Sequence, residues 1–285
     1  MIDVIIPIFR DVAGTKRCID AVLATHDGLL GRLLLIEDCG PEAEMRPMLR
    51  ALRRTHREIR LLENEENLGF VGSANRGLLL HEGDVVVLNS DTVPSPGWLA
   101  ALASAMATSH RIAAVSPLSN NGTLCSVPDY CSAIDATFID PTRLNLKSLP
   151  QFTEMPTAVG FCMMMRGAVL DEIGAFDPKY GRGYNEENDW CQRARSRGYL
   201  VGRSNRAYVA HVGQVSFREE RNQLETRNLL RLRARYPDYI KDNQKFSDSP
   251  EARLAAEYVR LAMHNHPASS SPETGFTHQR QAHPS

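Results

Sequence analysis

The sequence predicts an α/β fold: a mostly parallel central sheet flanked by helices, with a helical extension at the C-terminus. Three observations carry that expectation. Strand and helix signals alternate through the first hundred residues. The strand runs are continuously apolar and β-branched, as strands buried on both faces are. One of them, Val85-Val86-Val87-Leu88, ends abruptly in Asn89-Ser90-Asp91. Open parallel sheets bind ligands just beyond the carboxyl ends of their strands, so this ending marks a site. Oxygen ligands there suit a hard divalent cation, and such a cation commonly accompanies phosphate. An ordinary Asn/Ser/Asp turn gives the same three letters.

The elements follow in order. Ile2–Pro7 is a strand, and Thr15–Ala24 a helix with Ile19, Val22 and Leu23 as its apolar stripe. Arg32–Glu37 is a second strand, Glu42–Thr55 a charged helix, Ile59–Glu63 a third strand and Val71–Leu80 the next helix. The Asp84–Asp91 strand follows. The succession implies right-handed crossovers and a mainly parallel sheet. Pro94-Ser95-Pro96-Gly97 turns into a helix at Trp98–Thr108, and Ile112–Val115 is a short strand. Pro117 to Gln151 is irregular and rich in Ser, Asn and Pro, the mark of a lid or binding loop. Val159–Met165 reads as a strand, Gly167–Ile173 as a short helix and Glu186–Arg197 as an amphipathic helix. A short apolar strand leads to His211. Glu219–Tyr236 and Pro250–Asn265 are charged helices, and Ala268–Ser285 is expected to be a disordered tail.

Composition narrows the class. Charge is balanced, 33 Lys+Arg against 34 Asp+Glu, which gives no general argument for nucleic acid. The six scattered cysteines form no C-x-x-C pair, so neither staples nor metal ligands are indicated, and five of them, with apolar or small neighbours, read as reduced packing residues. No apolar run approaches the ~20 residues that span a bilayer. With a strand at the outset and no leader pattern, a cytoplasmic protein is expected.

Four stretches carry chemistry. Glu37-Asp38 closes the second strand, where a carboxylate either accepts hydrogen bonds from a ribose or base or caps a helix. The first βα turn, Pro7-Ile8-Phe9-Arg10-Asp11, lacks the G-x-G-x-x-G fingerprint, which argues against a nicotinamide enzyme. The glycines of Asn67–Gly77 permit close backbone approach to an anion, or close helix–sheet packing. Behind Gly181-Arg182-Gly183, the run Glu186-Glu187-Asn188-Asp189-Trp190-Cys191 places three acids at a helix start. They favour the helix dipole singly, and together they suggest a general base. His211 is either a metal ligand or a satisfied strand histidine.

Taken in order, the V-I-I-P strand, Glu37-Asp38, the N-x-G-x-x-x-x-x-N-x-G run from Asn67, N-S-D and E-E-N-D-W-C-x-R resemble the inverting glycosyltransferases of family 2, which have a GT-A nucleotide-sugar fold. The N-L-G-F and N-S-D-T-x-P phrasing looks most like bacterial transferases that build rhamnose-containing or related surface polysaccharides. The resemblance covers Ile2 to about Phe217. It implies a GT-A domain over 1–217, with a nucleotide-binding half (1–100) and an acceptor-binding half (101–217), then a helical extension over 218–267 and the tail. It also implies roles. Pro7, Phe9, Asp38 and Asn75 would bind the nucleotide, with Asn89 nearby. Asp91 and His211 would hold Mg²⁺ or Mn²⁺ against the diphosphate. Glu187 would be the base, with Glu186 or Asp189 orienting or replacing it, and Trp190 would shape the acceptor pocket. The implied partners are a nucleotide diphosphate sugar donor and a glycan or lipid-linked acceptor. Peripheral membrane contact through the arginines after Glu219 is set against a solvated helix face. Two departures stand out: Asn89 occupies a position that is usually Asp, and Glu186-Glu187 replaces the usual Glu-Asp pair. A sugar-nucleotide pyrophosphorylase would need a glycine- and arginine-rich loop after the first strand, which Ile8-Phe9-Arg10-Asp11 is not. A non-catalytic nucleotide-sugar-binding module of the same fold is the remaining alternative.

Overall fold

The computed structural model describes residues 1–127, 146–213 and 218–265. Part of the expected Pro117–Gln151 loop, Cys131 and the expected tail lie outside the described residues. In order, the elements are β1 (Ile2–Ile8), α1 (Val12–Thr25), β2 (Leu30–Glu37), α2 (Met45–Thr55), β3 (Ile59–Glu63), α3 (Gly69–Leu78), β4 (Val85–Leu88) and β5 (Thr92–Pro94). Then come α4 (Trp98–Ala107), β6 (Ile112–Leu118), β7 (Phe152–Glu154), β8 (Cys162–Met165), α5 (Gly167–Ile173), α6 (Glu186–Arg195) and β9 (Leu200–His211). The helices α7 (Arg218–Arg235), α8 (Tyr239–Ser247) and α9 (Pro250–Asn265) complete the described chain.

The sheet runs β3-β2-β1-β4-β8-β6-β9-β5, with β7 also paired to β9. Strands β3, β2, β1 and β4 are parallel, as are β6 and β9. Among the described strands, only β5, β7 and β8 run against them. The sheet is therefore mixed and mostly parallel. Strand β1 is buried at every position, and so is β4. Alternation then divides the apolar residues between two faces. Val4, Ile6, Ile8, Leu33, Leu35, Val86 and Leu88 pack with Cys18, Ile19 and Val22 of α1 and Trp98 of α4. Ile5, Leu34, Ile36, Val85 and Val87 pack with Val71 and Ala74 of α3 and Trp190 and Cys191 of α6.

Boundaries shift from the sequence expectation for local reasons. Helix α2 starts at Met45, not Glu42, because the Glu42 carboxylate accepts hydrogen bonds from the Asp11 and Val12 amides (2.8 and 3.0 Å) and caps α1. The expected short strand before His211 is the twelve-residue β9, whose interior reads Arg203-Ser204-Asn205-Arg206. Arg203, Ser204 and Asn205 are nevertheless buried, each polar group bonded, so hydropathy hid the strand. The three-residue strands β5 and β7 and the helix α8 were likewise not foreseen. Cys18, Cys125, Cys162 and Cys191 are buried thiols, as expected of packing residues, while Cys39 is exposed.

Candidate nucleotide and metal site

A cavity of about 840 Å³ opens at the carboxyl ends of β1, β2 and β4. Pro7 and Phe9 line it from the end of β1, Asp38 from β2, Asn89 and Asp91 from β4, and His211 from β9. Six of the expected residues thus meet on one cavity although 204 positions separate Pro7 from His211 in the sequence.

Asp38 is held before any ligand arrives. Its Oδ1 accepts from the Leu68 amide at 2.7 Å and from Asn64 Nδ2 at 2.8 Å. The preceding Glu37 does structural work: one carboxylate oxygen takes the Gly40 amide and the other pairs with Arg46 at 2.6 Å. Gly40 is required here, since a Cβ would stand 2.1 Å from the Phe9 carbonyl oxygen. The β1 and β2 ends therefore meet tightly beside the cavity.

Asp91 and His211 are brought together by the antiparallel pairing of β5 with β9, which sets Thr92 opposite His211. His211 Nε2 lies 3.4 Å from Asp91 Oδ1, and both side chains are largely buried. The imidazole is clamped. Its Nδ1–H donates to the Asn121 carbonyl at 2.6 Å, its ring stacks on Phe161 (5.1 Å, 13°), and Asn120 bonds its backbone on both sides. With Nδ1 committed to that carbonyl, Nε2 is the nitrogen that faces Asp91, the arrangement that second-shell bonds give to metal-binding histidines. The amide oxygen of Asn89 is buried and has no hydrogen-bond partner among the described residues. Carboxylate, imidazole and amide oxygen together fit Mg²⁺ or Mn²⁺. Among the described residues no group of three His, Cys, Asp or Glu converges, so such an ion would take its remaining ligands from outside that set.

The acids of α6 divide into two kinds. Glu186 and Glu187 each bury an Oε2 with no partner among the described residues. Burial, and then the charge of Glu187, pushes the Glu186 carboxyl well above the usual carboxylate range. Burial pushes Glu187 up to about 7, opposed by backbone amides of the helix start. A Cβ on Gly160 would stand 3.2 Å from Glu187 Cγ, and the next residue, Phe161, is the one stacked on His211. The Glu187 stem is thus adjacent to the wall that carries His211.

Neither Glu186 nor Glu187 lines the cavity, and Asp189 does not line it either. Fully buried, Asp189 pairs with Arg193 at 2.9 Å and Arg235 at 2.8 Å, joining α6 to α7. Trp190 is not placed at the cavity either: it is fully buried in the core and donates to the Gly174 carbonyl at 2.9 Å. Nor is Asn75, whose amide exchanges two hydrogen bonds with the Phe176 backbone (2.8 and 3.0 Å) and ties α3 to the chain before α6. One face of a helix cannot serve both core and cavity, and these three face inward.

Several cavity residues escaped the sequence reading. Arg10, Arg182 and Tyr184 line it, as do Leu224 and Arg227 of α7. Gly69, at φ +71°, lets α3 approach Arg182, whose Cα would be 2.9 Å from a Cβ there. The Gly-Arg-Gly turn was the available signal for Arg182. Nothing in the α7 sequence separates Arg227 from its neighbouring arginines.

Residues 3–174, more than half the chain, match the model of glycosyl transferase family 2. The chain belongs to this family. Among curated proteins, uncharacterized proteins of Mycobacterium tuberculosis (Rv1525) and Mycobacterium bovis (Mb1552) are 29% identical over 155 residues, which is 52% of this chain and 56% of theirs. The chain therefore spans about half the length of the curated relatives it matches. Among solved structures, the mannosyltransferase PcManGT from Pyrobaculum calidifontis superposes with a TM-score of 0.62 at 16% identity, covering 95% of this chain and 76% of that one. GalNAc-T7 gives 0.65 at 14% identity, covering 93% and 54%. TarS from S. aureus gives 0.51 at 16%, covering 75% and 59%. All three share the fold of this chain. No described helix is long and apolar enough to cross a membrane.

Proposed function

We propose that this family 2 protein transfers a glycosyl group from a nucleotide diphosphate sugar to an acceptor hydroxyl of a glycan or glycolipid, with inversion and with divalent-metal assistance. The observation that carries the reading is the clamped Asp91–His211 pair, 3.4 Å apart, on the same cavity as Asp38 and the unpartnered Asn89 amide. The PcManGT structure holds GDP-Man with Mn²⁺, GalNAc-T7 holds UDP, GalNAc and Mn²⁺, and TarS holds UDP-GlcNAc, which supports a donor of this class.

The division of labour follows from the residues. Pro7 and Phe9 offer an apolar wall to the base, while Asp38, fixed by Leu68 and Asn64, accepts from a base or ribose donor. Asp91 and His211 would hold a divalent cation, which would supply neutralising charge to the leaving diphosphate. Glu187 takes the proton of the acceptor hydroxyl as that oxygen bonds the anomeric carbon and the diphosphate departs. One displacement needs no covalent enzyme intermediate and inverts the anomeric centre.

Two results test this. In a thermal-shift series with UDP, dTDP and GDP, at least one nucleotide raises Tm with Mn²⁺ and not without it. A ligand at a hundred times its Kd adds about 2.7 kcal/mol, roughly 5–10 °C for a chain of this size. Asp91→Asn removes the metal-dependent part of the shift. A flat series with all three nucleotides sinks the site assignment.

The second result is a pH profile. A base raised to about 7 is active only when deprotonated, so kcat/KM climbs through pH 7 and levels above it. Stability moves oppositely. The folded carboxyl keeps its proton to higher pH than the unfolded one, near 4.5. This group's contribution is therefore full below pH 4.5 and is lost as pH rises towards 7. A profile independent of pH between 6 and 8 would rule Glu187 out as the base.

A further inference from the structure

A second cleft, of about 370 Å³, lies between the loop before Val127, β9 and the helices α8 and α9. At its wall is Arg203, only 1% exposed. The guanidinium donates to Asn205 Oδ1 at 2.9 Å, to the Leu124 carbonyl at 3.0 Å and to the Glu251 carbonyl at 2.8 Å, and lies over the Phe246 ring at 5.6 Å. Every one of these acceptors is neutral. Among the described residues no carboxylate pairs with it, and burial draws its pKa below the usual arginine value. A cation taken out of water without a counter-charge is costly, whereas an adjoining anion offsets that cost.

The rest of the lining is biased the same way. Arg253 and Arg260 stand seven residues apart on α9, which places them on one helix face, and both line the cleft. Among the described residues of the lining, Glu257 is the single carboxylate. The donors of Arg203 are taken up by those neutral acceptors, so it adds buried positive charge to the wall. Direct contact with an oxyanion falls to the exposed Arg253 and Arg260, whose guanidinium forks match phosphate oxygens in pairs. The volume falls within the range of small-molecule pockets and exceeds what a bare ion needs, and Phe246 and Leu124 add apolar wall.

We propose that this cleft is a second binding site, for a phosphate group that is either free or carried on a small organic body such as a sugar. It is independent of the donor site: no residue lines both cavities. The test is calorimetric titration of the intact protein with inorganic phosphate and, separately, with glucose 1-phosphate. Saturable binding is expected. It should persist in Asp91→Asn, which disables the metal corner, and weaken at least ten-fold in the Arg253→Ala/Arg260→Ala double variant. Both of those arginines are solvent-exposed, so the double variant should melt near the parent, and that is checked first. Tighter binding of the sugar phosphate identifies an ester ligand, and equal binding identifies free phosphate; both support the site. No saturable binding of either probe, or binding untouched by the double variant, overturns it. Loss in Asp91→Asn alone would assign the phosphate to the donor cavity and also overturn it.

Discussion

Replacing Glu187 with Gln lowers turnover by about 10²–10⁴-fold, the range that a positioned general base contributes. The substitution keeps the volume of the side chain beside Gly160, where a larger change would disturb the wall that carries Phe161 and His211. It removes only the ability to take a proton. Nucleotide affinity should hold, because Glu187 is not among the residues lining the nucleotide cavity. The loss therefore falls on kcat, and the rise of kcat/KM through pH 7 disappears with it. Glu186→Gln provides the comparison. Burial, and then its neighbour's charge, push Glu186 well above the usual carboxylate range, and its replacement is expected to cost less because Glu187, not Glu186, stands against Gly160, the residue before Phe161. Steady-state kinetics of both variants with the same donor decide the matter. Near-parental turnover in Glu187→Gln, with collapse in Glu186→Gln, would exchange the roles.

Asp189→Ala should cost about 3–5 kcal/mol of stability, the usual consequence of removing one partner from a buried ion pair. Asp189 is fully buried between Arg193, itself 14% exposed, and Arg235, which is half exposed and so contributes less. Without the carboxylate, Arg193 keeps only its carbonyl partners, Ile173 and Ala175, and α7 loses its tie to α6. Denaturant unfolding measures the loss as a lower midpoint. Turnover per folded molecule separates a brace from a base. The brace predicts that Asp189→Asn, which keeps the shape, retains most of its activity when assayed well below its Tm. A variant of normal stability and no activity would return Asp189 to the chemistry.

How much of this was legible beforehand depended on range. The paired faces of β1, β2 and β4 were readable because apolar runs are local and strand periodicity is strict. Asp38, Asn89 and Asp91 were readable because they follow those strands directly, and strand ends in such a sheet point to one edge. Strand β9 was under-read because its burial is met by hydrogen bonds, which leave no hydropathic trace.

The three acids of α6 show the limit most clearly. In sequence they are equivalent first-turn carboxylates, each explained by the helix dipole. Rotation of about 100° per residue sends them in different directions, and what stands in each direction is set by distant chain. Glu187 meets Gly160, whereas Asp189 meets Arg235, 46 residues on. Asn75 and Trp190 were likewise decided by partners at Phe176 and Gly174. The sequence by itself determined the family, the sheet's parallel half and the carboxylates at its edge, because those rest on contiguous residues. Tertiary structure alone decided that His211 faces Asp91, that α7 reaches the cavity with Arg227, and which of the α6 acids is paired with arginines. Those outcomes depend on contacts between segments that hydrophobic burial brings together without regard to their order in the chain.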